Sequence, residues 1–280
     1  MSWTWDPTLY AGSAPHYAVG RVPYPPGVAS ALVSALPLDG RQRLLDVGCG
    51  PGSLTLLLAP HVAEAIGVDA DGDMLAEAAR LGASLPNVRW VRLRAEELPG
   101  GLPPVDVVTF AQSFHWTDRP RVAAVVRGML RPGGAVVHVG ATTHEGIDPD
   151  GDLPFPRPPR EAVARLVERY LGPVRRAGQG VLPSGTSGGE DDVFRAAGFS
   201  GPSRIEVPGG VVERSVEEVA SSIYSLSSSA PHLFGDRLAE FEADFRAELM
   251  QHSPSGLFWD WPGDTDILLA SKPKGMPDAT

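Results

Sequence analysis

The sequence is short of cysteine, lysine and long apolar runs, and each shortage excludes a class of protein. Cys49 is the single cysteine, so no internal disulfide can form and a secreted disulfide scaffold is excluded. Lysine occurs only at Lys272 and Lys274, and 34 acidic residues face 24 basic ones, a formal charge of −10. Such a surface repels phosphate backbones and anionic membranes. The densest basic cluster is the pair Arg175-Arg176, too short for a nucleic-acid groove. No apolar run approaches the roughly 20 residues that span a bilayer. The start, Met1-Ser-Trp-Thr-Trp-Asp6, has neither the basic nor the apolar region of a signal peptide. These readings imply a cytoplasmic protein without membrane or nucleic-acid partners. The histidines lack metal-ligand spacing, so no metal is expected.

What is present is an ordinary globular balance, 42% hydrophobic and 21% charged over 280 residues, enough for a sizeable core. Residues 1–27 are aromatic and Pro-rich, which limits regular structure until about Pro26. Strand and helix patterns then alternate. Apolar strands are expected at 43–47, 65–69, 88–93, 105–110 and 135–139. Helices are expected at 28–36, 54–59, 73–81 and 119–130, the last stopped by Pro132-Gly133-Gly134. Strands without apolar/polar alternation, separated by helices, imply a parallel sheet covered on both faces. Beyond residue 140 the pattern loosens. A loop is expected over 144–160 and a mobile Gly/Ser-rich stretch over 178–190. Helices are expected at 160–171, 191–197, 216–226 and 237–250, with strands at 203–207 and 267–271.

The informative segment is Leu44-Leu-Asp-Val-Gly-Cys-Gly-Pro-Gly-Ser53. Gly48, Gly50 and Gly52 follow a strand and precede a helix, where glycine permits a sharp turn and close approach of a ligand. Ligands of open parallel sheets bind at the carboxyl ends of the strands. A dinucleotide fingerprint needs its third glycine where Ser53 stands. The tighter spacing suits a nucleoside bearing an amino-acid arm. Asp69 ends the next strand, where a carboxylate accepts hydrogen bonds from both ribose hydroxyls. Its bland alternative is a cap for the following helix.

Leu44–Gly52, Gly67-Val-Asp69 and Leu130-Arg-Pro-Gly-Gly134 resemble the class I S-adenosylmethionine-dependent methyltransferases. Asp106-Val-Val-Thr-Phe-Ala-Gln-Ser-Phe-His-Trp116 and Tyr17-Ala-Val-Gly-Arg-Val-Pro-Tyr24 are similar to the type 11 group that includes trans-aconitate methyltransferase-like enzymes. The resemblance implies an α/β fold: a Rossmann-like, seven-stranded, mostly parallel sheet with helices on both faces and an antiparallel last strand. It implies one domain: an N-terminal lid over 1–40, a cofactor core over 41–140, substrate-side insertions and last strands over 141–273, partly helical near the C-terminus, and a tail over 274–280. It implies S-adenosylmethionine as cofactor. Asp46 and the backbone of Gly48, Cys49 and Gly50 would hold the methionine arm. Asp69 would hold the ribose, with Ala70 and Met74 beside the adenine and Ala95 and Glu96 lining its pocket. Arg94 departs from the acidic residue of many relatives, leaving Glu96 or a carbonyl for the adenine amino group.

Gln112 is a candidate cofactor or substrate contact. His115 is a candidate general base, because its ordinary pKa lies near neutrality; the alternative is that it packs at the strand end. Tyr24, His115 and Trp116 are candidate pocket residues. Tyr17 and Arg21 belong to the implied lid, with Arg21 suited to a carboxylate. The aromatic residues of 215–260 offer apolar surface for an acceptor pocket or for helix packing. The implied reaction is O- or carboxyl-methylation of a small-molecule acceptor. The alternative is a homologue that binds the cofactor without methyl transfer, such as a cyclase or regulatory binder.

Overall fold

The structure, a computed structural model, describes residues 6–143, 153–177, 180–181 and 188–274. The described residues fall into two compact units. One is drawn from Tyr24–Ala141, Ser187–Val207 and Thr265–Thr280, the other from Met1–Pro23, Thr142–Thr186 and Pro208–Asp264.

The first unit is a seven-stranded sheet flanked by helices. Its strands are β1 (Arg43–Val47), β2 (Glu64–Asp69), β3 (Val88–Arg92), β4 (Val105–Ala111), β5 (Leu130–Gly140), β6 (Ser200–Val207) and β7 (Thr265–Ser271). Their spatial order is β3-β2-β1-β4-β5-β7-β6. The pairings β3-β2, β2-β1, β1-β4 and β4-β5 are parallel. The last strand, β7, runs antiparallel to both β5 and β6, as expected. Successive side chains leave a strand on opposite faces, and the core divides accordingly. Leu45, Val108, Val136 and Leu268 pack with Val122 and Val126 of the helix Arg119–Met129 and with Phe194. Their neighbours Leu44, Val107, Val137 and Leu269 pack on the other face with Val28, Leu32, Leu54 and Leu58, from the helices Gly27–Ala35 and Ser53–Leu58. Strands with apolar residues on both faces therefore need helices on both faces.

The second unit is mainly helical. Helices Arg160–Leu171, Val216–Tyr224 and Leu238–His252 enclose an aromatic core in which Tyr224, Phe234, Phe241, Phe245 and Phe258 are buried. Phe234 stacks on Phe241 with ring centroids 4.1 Å apart. These aromatics of the 215–260 stretch are thus core of their own unit. Val212–Ser215 pairs antiparallel with Leu257–Asp260, a ribbon that the sequence pattern did not reveal.

Three expectations are corrected. Residues Ala14–Gly20 form a helix within the Pro-rich N-terminal region. Pro15 sits in its first turn, where a missing N–H breaks no helical bond. Pro132-Gly133-Gly134 does not separate helix from strand, because β5 already starts at Leu130. Val181, expected in a mobile stretch, pairs with Arg176 in a short ribbon. Trp3, Trp5, residues 144–152, most of the Gly/Ser-rich stretch and the end of the tail lie outside the described residues.

Glycine at position 67 of β2 is a packing requirement. A Cβ there would lie 2.4 Å from the indole of Trp90 and 2.9 Å from the Cys49 sulfur. Gly67→Ala should therefore lower stability by about 1–3 kcal/mol through overpacking. Urea denaturation measures this, and Trp90→Leu in the same chain should remove most of the added cost.

Candidate active site

The turn between β1 and the helix Ser53–Leu58 holds Gly48, Gly50 and Gly52 at φ +68°, +54° and +85°. Only glycine adopts this region without a Cβ penalty. The N–H groups of Gly48 and Cys49 both donate to the Val68 carbonyl, at 2.8 and 3.0 Å. Gly48 is further confined by Ser113, whose Cβ lies 2.5 Å from where its own would be. A Cβ at Gly50 would meet nothing within 4 Å. The backbone at Gly50 therefore borders open space.

Asp69 closes the far side of the turn. Its two oxygens accept the N–H groups of Gly50 at 2.8 Å and Asp71 at 2.9 Å. Burial, opposed by these bonds and reinforced by the Asp71 charge, raises its pKa to about 6. Asp71, not Asp69, caps the helix Gly72–Leu81, accepting from Asp73 and Met74. Met74 is buried at the start of that helix, and the Ala70 carbonyl accepts from Arg92 Nε at 3.2 Å.

Asp46 is fully buried. One oxygen accepts from Thr55 Oγ1 at 2.5 Å and the other from Thr109 Oγ1 at 2.7 Å. Burial raises its pKa. Cys49 is buried, and burial together with Asp69 and Asp46 pushes its thiol well above the ordinary range.

Ala95 and Glu96 lie in a short 3₁₀ helix after β3. Glu96 accepts the Asp118 N–H at 2.9 Å, and Arg94 pairs with Glu97 at 3.0 Å. The basic residue at position 94 thus has a local acidic partner.

The exit of β4 carries the second group of candidates. Gln112 is the one described non-glycine residue at positive φ, +60°. Its side-chain amide donates to the Ala141 carbonyl, and its N–H to that of Val139 at 3.2 Å. Such a conformation costs about 1–3 kcal/mol and concentrates at functional sites. Phe114 is fully buried and stacks on Phe194 with centroids 4.9 Å apart. This anchor orients its neighbours His115 and Trp116, whose rings are 5.4 Å apart. Burial, with smaller contributions from His138 and Arg119 and opposition from Glu190, pushes His115 down to about 4.

Asp46, Gly48, Cys49, Gly50, Asp69, Ala70, Met74, Ala95, Glu96, Gln112, His115 and Trp116 all belong to the sheet unit. Tyr24 belongs there too, packed against the apolar layer of the helix Gly27–Ala35. Tyr17 and Arg21 belong to the helical unit. There the Arg21 guanidinium lies 4.8 Å from the Tyr17 ring centroid and donates to Ser225 Oγ at 2.8 Å and Thr143 Oγ1 at 3.1 Å. Thr55, Thr109, Ser113 and Trp90 were not anticipated. Thr109 left a signal, a hydroxyl within the apolar run Val107–Phe110 opposite Asp46. Among the described residues, no cluster of His, Cys, Asp and Glu could hold a metal ion. No described helix is long and apolar enough to cross a membrane.

Sheet order, reversed last strand and glycine turn agree with the fold that the resemblance to class I methyltransferases implies. Residues 44–134 match the methyltransferase domain family. A methyltransferase of Mycobacterium tuberculosis is 37% identical over 143 residues, 51% of this chain and 56% of that protein. Trans-aconitate 2-methyltransferase of Azoarcus sp. is 33% identical over 113 residues, 39% of this chain and 42% of that protein. The chain thus spans about half the length of the curated relatives it matches. The [4+2]-cyclase SpnF shares the fold with a TM-score of 0.54 at 19% identity, covering 96% of each chain.

The residues present fit the cofactor: an open backbone cradle at Gly50 stands beside a carboxylate that can accept further hydrogen bonds. The raised Asp69 pKa carries a signed consequence. A raised folded-state value contributes stability below the unfolded value, and this is lost as pH rises through about 6. Asp69→Asn should therefore abolish this fall in ligand-free stability through about pH 6, measured by denaturant midpoint, while one of the two backbone N–H groups loses its acceptor. It should also weaken S-adenosylhomocysteine roughly 10- to 100-fold if charged hydrogen bonds to the ribose are lost. Wild-type affinity should fall as pH drops below 6, and the variant should lose that dependence.

Proposed function

We propose that this protein transfers the methyl group of S-adenosylmethionine to an oxygen of a small acidic molecule, most simply a carboxylate. The observation that supports the acceptor class is the weak basicity of His115, the candidate base at the β4 exit. A general base works best with a pKa near the operating pH. An imidazole titrating near 4 is neutral at pH 7, yet it is a poor proton acceptor for an alcohol or phenol. A carboxylate arrives already ionised and needs no base.

When bound, S-adenosylmethionine supplies an electrophilic methyl group on a sulfonium whose departure leaves a neutral sulfide. The chain's own residues have three tasks. Asp69 accepts the ribose hydroxyls, and the backbone of Gly48, Cys49 and Gly50 holds the methionine arm. Ala70, Met74, Ala95 and Glu96 border the adenine. Gln112, His115, Trp116 and Tyr24 orient the acceptor, where neutral His115 acts as a hydrogen-bond partner. Catalysis then rests on proximity and orientation. The −10 formal charge disfavours nucleic acid as acceptor.

The test is a panel of carboxylic acids, phenols and alcohols scored by S-adenosylhomocysteine formation. Turnover should be confined to carboxylic acids, with kcat/KM flat between pH 6 and 8. His115→Gln should change kcat less than about tenfold, below the 10²–10⁴ range of a lost general base. Turnover of phenols with a 10²-fold loss in His115→Gln would overturn the acceptor class. Tight cofactor binding without any S-adenosylhomocysteine formation would overturn the transferase reading itself.

A further inference from the structure

We infer that Asp46 is a positioning residue: hydrogen-bonded to Thr55 and Thr109, it clamps the two ends of the glycine turn and ties them to β4, and its charge does not hold the methionine arm. This rests on the cofactor reading above but departs from the role that resemblance assigns to Asp46.

Geometry carries the inference. Asp46 is the last but one residue of β1, and Thr55 lies in the helix that follows the turn. The glycine-rich segment from Gly48 to Gly52 is therefore suspended between two hydrogen-bonded residues. The other carboxyl oxygen reaches sideways to Thr109, which stands opposite Asp46 in the β1-β4 register. Three residues after Thr109, just beyond the end of β4, comes Gln112 at positive φ. The cofactor turn and the acceptor-side segment thus share one buried carboxyl group. That group is fully enclosed, and each oxygen already accepts a hydroxyl. Cys49 is the titratable neighbour on the turn, and Asp69 is the next carboxylate beyond it; burial first, then Asp69 and Asp46, raises the pKa of the thiol, which stays protonated.

The chemistry of the partners makes the role testable. A threonine hydroxyl both donates and accepts. An asparagine at position 46 can therefore accept from one threonine and donate to the other, keeping the clamp without the charge. Valine at position 109 keeps the shape of threonine but removes one donor. In an ammonium-binding role the ranking reverses, because asparagine loses the charge and Thr109 does not matter.

The experiment is calorimetric titration of the full chain with S-adenosylhomocysteine, paired with urea midpoints between pH 4 and 8. Asp46→Asn should bind within threefold of wild type. It should also unfold at a higher midpoint at pH 7, an advantage that fades towards pH 4. A buried carboxyl with a raised pKa loses its contribution to stability as pH rises, and the variant is spared that loss. Thr109→Val should bind five- to twentyfold more weakly while still folded, and Thr109→Ser should restore affinity. Loss of more than tenfold affinity in Asp46→Asn with Thr109→Val unaffected would overturn the inference. If wild type binds no S-adenosylhomocysteine, the cofactor reading fails. The clamp is then judged by the midpoints alone, and Asp46→Asn less stable than wild type at pH 7 would overturn it.

Discussion

The sheet unit is organised around one backbone constraint, a turn that holds three residues at positive φ within five positions, from Gly48 to Gly52. Such a turn has no regular hydrogen-bond ladder, so its polar groups must find partners elsewhere. Val68 takes two of its N–H groups, and Asp69 takes a third from Gly50. Both acceptors sit at the end of β2, which makes the parallel β1-β2 register a condition for the turn. Trp90 on β3 then fills the space left by Gly52 and Gly67. Three strands are thereby committed to the shape of one turn.

Two carboxyl groups flank that turn in opposite circumstances. Asp46 is buried with hydroxyl donors on both oxygens, while Asp69 accepts backbone N–H groups beside the open space at Gly50. Hydrogen bonds from neutral hydroxyls do not offset the burial of a full charge, and this favours the protonated form of Asp46. Backbone donors at the edge of open space favour a form that can ionise on demand. Between them lies Cys49, whose thiol is kept protonated by burial and by the two acids. A thiolate is the reactive form of cysteine, so the same arrangement keeps this thiol unreactive.

The fold was legible wherever local pattern and tertiary role coincide. The strands 43–47 and 105–110 are continuous apolar runs, and the reversed last strand followed from the family resemblance. The helix Ala14–Gly20 was hidden because proline signals were read as breakers, although Pro15 stands where a helix tolerates it. The ribbon of Val212–Ser215 with Leu257–Asp260 joins segments far apart in sequence, and no local periodicity encodes that pairing. In the site, the turn at Gly48 and Gly50 and the placement of Asp69 at the end of β2 were legible from spacing. Thr55, Thr109 and Trp90 were not. A hydroxyl in a strand and an aromatic ring over a glycine acquire meaning only through register, as in the pairings Asp46–Thr109 and Gly67–Trp90.

His115 shows how a residue type can mislead until its surroundings are known. In sequence a histidine after β4 suggests proton transfer, because its ordinary pKa suits that task. Phe114 anchors the segment in the aromatic cluster with Phe110 and Phe194, and that anchoring draws the adjacent imidazole out of water. Burial disfavours the cation, so the packing that orients the ring also removes its basicity. Methyl transfer to an ionised oxygen asks for orientation and dryness more than for a base. The same enclosure that weakens His115 as a base would strengthen the interaction between an anionic acceptor and a sulfonium. The packing at the β4 exit and the acidic acceptor proposed above would thus both follow from one enclosed environment.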